Sequence, residues 1–270
     1  MSKFNRYLIA VLLVIFAAVA VVGCSTTTTD NENKNGEAAV SESQESLMVY
    51  SGAGLRKPMD EIGKVFEEKY NVKVEYSYAG SAQNLSQIEI TGKGDVYIPG
   101  AMYYAEQAIE KGLAINKQDV AYHIPVIAVP KGNPAGIKKL EDLAKPGVKV
   151  ALGDEKAAAI GKTAISILEK NGIKSAVEAN VKATAPTVNE VLVYVTMKQV
   201  DAAIIWEDNV VGVEEVEIVQ IPAEQNEIKT LPVCVLKSSE KPDLAQKFAD
   251  FVAGPEGKEI FEKHGFRPVE

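Results

Sequence analysis

The sequence predicts an α/β protein folded into two lobes. Strand-like and helix-like stretches alternate from residue 47 to the C-terminus, the order expected of strands laid side by side under helices. Two apolar stretches, 124–129 ("IPVIAV") and 231–236 ("LPVCVL"), stand far apart in the chain and read as paired connectors between lobes. The chain leaves the first lobe at one connector and returns at the other. Lobe one is then discontinuous, residues 47–123 plus 237–270, and lobe two is 124–236.

Each element has its own signal. "LMVYSG" opens the body as a strand, and "RKPMDEIGKVFEEKY" follows as an amphipathic helix with Met59, Ile62 and Phe66 on one face. "VKVEYSY" is a strand, "AQNLSQIEITG" a short helix, "DVYIPG" a strand, and "MYYAEQAIEKG" a helix closed by Gly112. The apolar strand "IPVIAVPKGNP" is stopped by Pro and Gly. "VKVALGD" leads into "AAAIGKTAISILEKNG", a strand and a long helix ending at Gly172. "TVNEVLVYVTMKQ" is a helix; "DAAIIWED", "VEIVQIP" and "IKTLPVCVLK" are strands; "PDLAQKFADFVAG" and "PEGKEIFEKHG" are two closing helices.

Residues 1–24 have the pattern of an export signal: Lys3 and Arg6, an apolar run over 7–22, and Cys24 after small residues. A cysteine at that junction matches a lipoprotein signal, whose thiol takes a lipid and anchors the chain outside the cytoplasmic membrane; an uncleaved anchor is the alternative. Residues 25–46, rich in Thr, Asn, Glu and Ser, cannot bury enough apolar surface to offset ordering and read as a disordered tether. With Cys24 used for the anchor, Cys234 has no disulfide partner and reads as a small buried hydrophobe. The formal charge of −8 argues against nucleic acid as a partner.

Several apparent motifs lead nowhere. "AAAIGKT" places Lys156 where a phosphate-binding loop requires glycine. "SGAG", beginning at Ser51, lacks the third glycine of a dinucleotide loop. No G-x-S-x-G elbow occurs, and the two histidines, His123 beside a connector and His264 near the C-terminus, do not build a catalytic triad. An enzyme is therefore not expected. Tyr103 and Tyr104 raise a ferric-iron site; one core and one surface tyrosine is the plainer reading.

The turn "YAGSAQ" raises a different question, because Ala79, Gly80, Ser81 and Ala82 stand where a strand hands over to a helix. Such a turn is either merely tight or lets backbone N–H groups and a hydroxyl close around a small anion. Together with "VYSGAGL", "GDVYIPG", "VIAVPKGNP", "VALGDEKAAAIGKTA", "APTVNEVL", "DAAIIWED" and "IFEKHGFRPV", it makes the body resemble the molybdate/tungstate-binding family of ABC-importer solute-binding proteins over essentially its whole length.

The resemblance implies a type II periplasmic-binding-protein fold, each lobe a mostly parallel sheet flanked by helices, with a tetrahedral oxyanion in the interlobe cleft. It implies a monomer that delivers molybdate or tungstate to membrane permease subunits and needs no cofactor. Phosphate, sulfate, a small organic anion and ferric iron are the alternative ligands. The family's first serine falls on Gly54, with Ser51 three residues earlier; its second matches Ser81. Its second lobe contributes N–H groups at the positions of Ile160 and Val188, and its tyrosine is replaced by Trp206. A deprotonated dianion offers only acceptors, so such a site needs donors and no lysine or arginine. Glu207 and Asp208 run against that logic. They point to solvent, accept a proton from a protonated anion, or ligate the metal of the oxyanion, as carboxylates do in the archaeal branch of the family, with Glu207 the candidate; cation binding is the remaining reading.

Overall fold

The computed structural model describes residues 44–269. The expected signal, with Cys24, and nearly all of the expected tether lie outside the described residues. The tether ends sooner than the composition implies, because polar Glu45 and Ser46 already pair with Val72 and Lys73. Backbone pairing, not side-chain character, puts them in the sheet.

The chain first lays down β1 (Glu45–Gly52), α1 (Arg56–Tyr70), β2 (Val72–Ala79), α2 (Ser81–Thr91), β3 (Val96–Ile98), α3 (Met102–Glu110) and β4 (Gln118–His123). Ile124 alone separates β4 from β5 (Pro125–Pro130), which belongs to a second sheet. That lobe continues with β6 (Val150–Gly153), α4 (Ala159–Lys170), α5 (Lys174–Glu178), β7 (Val181–Ala185), α6 (Val188–Thr196), β8 (Ala202–Trp206) and β9 (Val216–Gln220). The chain returns with β10 (Lys229–Val235), α7 (Pro242–Ala253), α8 (Pro255–Lys263) and β11 (Arg267–Pro268). The first sheet runs β11-β4-β10-β3-β1-β2 and the second β7-β6-β8-β5-β9.

The α/β architecture with two sheets is the expected one, but both sheets are mixed. β1 pairs in parallel with β2 and β3, as β6 does with β7 and β8. The strands next to the crossings run the other way: β10 is antiparallel to β3 and β4, and β5 to β8 and β9. A second difference concerns the return. β10 lies within the first sheet, with Cys234 opposite Tyr97, so the crossing falls before Lys229 rather than after residue 236. The apolar alternation of "TLPVCV" shows that the strand is buried without showing which sheet buries it. Burial pushes the Cys234 thiol up to about 12, as suits an inert core residue.

One face of the first sheet is covered by α1, α7 and α8. Met59, Ile62 and Phe66 are fully buried there, and Phe66 meets Phe248 edge-on at 5.0 Å. The opposite face carries Leu85, Ile88, Tyr97 and Tyr104 in an apolar cluster that continues into the second lobe through Val126, Ile160 and Ile205. Tyr104 is core while Tyr103 is 43% exposed. Among the described residues no helix is long and apolar enough to cross a membrane.

Candidate functional site

Where the two sheets face each other, the ends of their strands enclose a cavity of about 30 Å³. Lobe one contributes the turn after β1 (Gly52 to Leu55), the β2–α2 turn, Gly100 and His123; lobe two contributes the starts of α4 and α6 and Trp206. Gly54, Ser81, Ile160, Val188 and Trp206 are thus brought to one cavity. Ser51 and Glu207 are not.

Ser81 is the first residue of α2 and is 3% exposed. Its hydroxyl oxygen accepts from the Gly100 N–H at 2.9 Å, and its carbonyl accepts from the Tyr97 hydroxyl at 2.7 Å. Burial holds the Tyr97 phenol well above its ordinary range, so it remains a donor. The Gly80 N–H donates to Gln83 Oε1 at 3.0 Å, which fixes the start of the helix. With its oxygen engaged by Gly100, Ser81 keeps its own proton for an acceptor in the cavity.

The glycines of these turns are set by approach rather than by dihedral angle. Gly80 has ordinary extended geometry, φ −62° and ψ 147°. A Cβ on it, however, would lie 2.4 Å from the Ala157 carbonyl oxygen and 2.6 Å from that of Pro186, both in the opposite lobe. Beside it, the Ala82 N–H crosses the cleft to the Ala157 oxygen at 3.1 Å. A Cβ on Gly54 would meet Val188 Cγ1 at 2.8 Å and Asn209 Nδ2 at 3.2 Å. The serine expected at that position has no room here, because lobe two occupies its place.

Lobe two presents helix starts. Asp154 Oδ1 accepts from the Lys156 and Ala157 N–H groups at 2.8 and 3.0 Å, shaping the loop into α4. Thr187 caps α6 by accepting from the Glu190 N–H at 3.3 Å and donating to its carboxylate at 2.8 Å. The first-turn N–H groups of a helix have no partner inside it and carry a partial positive charge. The starts of α2, α4 and α6 therefore converge on one small space, and among the described residues no lysine or arginine lines it.

Three placements differ from the sequence reading. Ser51 is fully buried inside β1, with its hydroxyl 3.4 Å from the Gly52 oxygen and its carbonyl accepting from Asn84 at 2.8 Å; strand alternation turns it into the core. Glu207 faces away, accepting from Gln220 at 2.8 Å and from Arg267 at 3.1 Å, which corrects its expected place beside the ligand. Asp208 is buried rather than turned to solvent, with Oδ1 3.1 Å from His123 Nε2 and Oδ2 accepting from Asn209 at 2.9 Å. His123, set aside in the sequence as a neighbour of a connector, lines the cavity and stacks on Trp206 at 3.8 Å and 17°. Its position at the end of a strand, one residue before the crossing, was the only signal available.

The profile of the bacterial extracellular solute-binding protein family matches residues 47–267. A putative binding protein of Haemophilus influenzae is 30% identical over 224 residues, 83% of this chain and 91% of that protein. The molybdate-binding protein ModA of Mycobacterium tuberculosis is 25% identical over 239 residues, 87% of this chain and 90% of that one. YvgL of Bacillus subtilis, named a putative ABC transporter substrate-binding lipoprotein, is 23% identical over 267 residues, 97% and 98% of the two chains. Among solved structures, the substrate binding domain of a putative molybdenum ABC transporter from Clostridium difficile superposes with a TM-score of 0.64 at 25% identity, covering 83% of this chain and 99% of that one. The sulfate-binding protein SubI of Mycobacterium tuberculosis reaches 0.75 at 19% identity over 84% and 88%, a likeness of fold alone. The relatives agree with the resemblance read from the sequence: the chain belongs to the bacterial extracellular solute-binding protein family.

Proposed function

We propose that the chain is the lipid-anchored binding component of an ABC importer and that it closes on molybdate or tungstate for delivery to a membrane permease. The convergence of three helix starts and the Ser81 hydroxyl on one cavity without a cationic side chain carries this reading. Such a site offers open N–H and O–H donors and, among the described residues, no carboxylate on its lining to take a proton, which suits a fully deprotonated tetrahedral dianion over an anion that must also donate. Size points the same way: a cavity of about 30 Å³ suits a compact inorganic ion better than a bulky organic one. Gly54, Ser81, Ile160, Val188 and Trp206 are the proposed contacts, with the Trp206 indole N–H in the role of the family's tyrosine hydroxyl. The molybdate-binding relative and the substrate binding domain of the putative molybdenum transporter support the choice of ion.

Sulfate shares charge, shape and acceptor-only character, and the fold shared with a sulfate-binding protein supports it as the second reading. Trp206 is the single tryptophan of the chain, so its emission reports directly on the site. Titration with molybdate, tungstate, sulfate and phosphate should give tight saturable changes with the first two and weaker ones with phosphate. Tight binding of sulfate with none of molybdate replaces the leading ligand; silence to all four ions defeats the oxyanion reading. The anchor has a separate test, supported by the lipoprotein relative. Cys24→Ser should leave the precursor unprocessed or release the body from the membrane, and unchanged mass and retention would favour an uncleaved anchor.

A further inference from the structure

Among groups that the donor-only reading leaves unused, His123 has the most connections to the cavity wall. It is the last residue of β4, 1% exposed, and lines the cavity. Nδ1 lies 2.9 Å from the Gly100 carbonyl oxygen. A carbonyl only accepts, so Nδ1 carries the proton and donates. The N–H of that same Gly100 holds the Ser81 hydroxyl at 2.9 Å. On its other side the imidazole lies nearly flat on the Trp206 indole, 3.8 Å between centroids. Nε2 sits 3.1 Å from Asp208 Oδ1 but off the line a hydrogen bond needs, and it has no other partner. Asp208 in turn engages Asn209, whose Nδ2 reaches back across the cleft to the Gly54 carbonyl at 3.1 Å. One buried ring therefore touches the supports of a wall group in each lobe.

We infer that His123 is a positioning residue of the site: through Gly100 it sets the Ser81 hydroxyl, and through its ring it sets Trp206. This rests on the oxyanion reading wherever affinity is the readout. Two routes follow from the geometry. The donor route runs His123 Nδ1–H to the Gly100 carbonyl and from the Gly100 N–H to Ser81; the two groups are joined through the Gly100 Cα, so losing the first bond frees φ and ψ of that glycine and lets its N–H drift off the serine. The stacking route fixes the plane of the indole, which otherwise opens to water on that face.

Two variants separate the routes. His123→Phe keeps a ring on Trp206 and removes the donor; His123→Asn keeps an amide donor near the Nδ1 position and removes the ring. With molybdate as the probe, His123→Phe should weaken binding about tenfold. It should weaken Ser81→Ala protein by less than about twofold, because the hydroxyl it positions is already gone. His123→Asn keeps the support of Ser81 and loosens only Trp206, so it should weaken binding less than His123→Phe does while shifting ligand-free Trp206 emission to the red. Unchanged affinity in His123→Phe, or full additivity with Ser81→Ala, overturns the donor route. Unchanged emission in His123→Asn overturns the stacking route. A parent that binds none of the oxyanions refutes the proposed ligand, and the ligand-free emission then decides on His123 by itself. Should His123→Phe not fold, the parent suffices: the His123 ring and Gly100 amide resonances should shift together with molybdate, and a ring that does not respond overturns the inference.

Discussion

The two walls of the cleft are built on different plans. The lobe-one wall is a side-chain hydroxyl fastened by its own lobe: Ser81 is held by Gly100 and Tyr97 without help from the other side. The lobe-two wall is mainly backbone, the open starts of α4 and α6 shaped by Asp154 and Thr187. Among the described residues, hydrogen bonds across the gap include Ala82 to Ala157, Asn189 to Ala53, Asn209 to Gly54, Lys57 to Val211 and Arg267 to Glu207, beside the contacts of His123 with Trp206 and Asp208. Apart from Trp206, on which His123 stacks from the other lobe, each wall is thus organised within its own lobe, and their meeting depends on closure. Substitutions can therefore be sorted by whether they damage a wall or the meeting.

The largest effect should come from a substitution that touches the meeting alone. Gly80→Ala suits its own backbone dihedrals but drives a methyl group into two backbone oxygens of lobe two. Relieving that clash costs about 3 kcal/mol or more, roughly a hundredfold in affinity. Calorimetry should show this loss with an unchanged melting temperature for the ligand-free protein; tight binding would mean that the lobes do not approach as closely in the bound state. Next comes damage to the lobe-one wall. Ser81→Ala removes a donor to a charged ligand, worth about 1.5–3 kcal/mol, and should weaken molybdate binding roughly ten- to a hundredfold. Parent-like binding would remove Ser81 from the ligand's partners.

A smaller effect is expected where a single neutral bond crosses the gap. Asn189→Ala deletes the 2.8 Å bond to the Ala53 oxygen, about 0.5–1.5 kcal/mol, so affinity should fall between about two- and tenfold. The loss should appear in the dissociation rate measured by stopped flow; a change confined to association would place Asn189 outside the closed state. The smallest effect belongs to Glu207→Gln. Its carboxylate is spent on Gln220 and Arg267, and an exposed ion pair contributes at most about 1 kcal/mol to stability. Affinity for molybdate and for phosphate should stay within about twofold of the parent. Loss of phosphate binding in this variant would return Glu207 to the ligand shell.

Much of the architecture was legible because it rests on periodic burial. The alternation of strand and helix patterns, the apolar face of α1 and the breaks at Gly112 and Gly172 all follow from local chemistry. What was not legible depends on long-range partners. The pattern of residues 231–236 is equally at home in either sheet, and only pairing with Tyr97 and Val96 assigns it. Ser51 sits among small residues like a turn donor, yet strand alternation turns it inward. Glu207 and Asp208 are adjacent acids with opposite fates, decided by Arg267 and His123, which lie about 60 and 85 positions away in the chain. The role of His123 was hidden for the same reason. A lone histidine carries no pattern, and its meaning comes from Gly100 at the end of β3 and from Trp206 and Asp208 at the end of β8.

The squeezed glycine at position 80 bears on how cargo leaves. In the proposed site the donors are shared between two bodies, so neither body alone holds a complete shell, and the ion is retained only while the seam around Gly80 stays shut. A permease that pries the seam open need not compete for the ion, protonate it or supply a countercharge. Separating the lobes strips away the α4 and α6 donors in one stroke. On the proposed reading unloading is a mechanical event, set by how far the membrane partner parts the jaws.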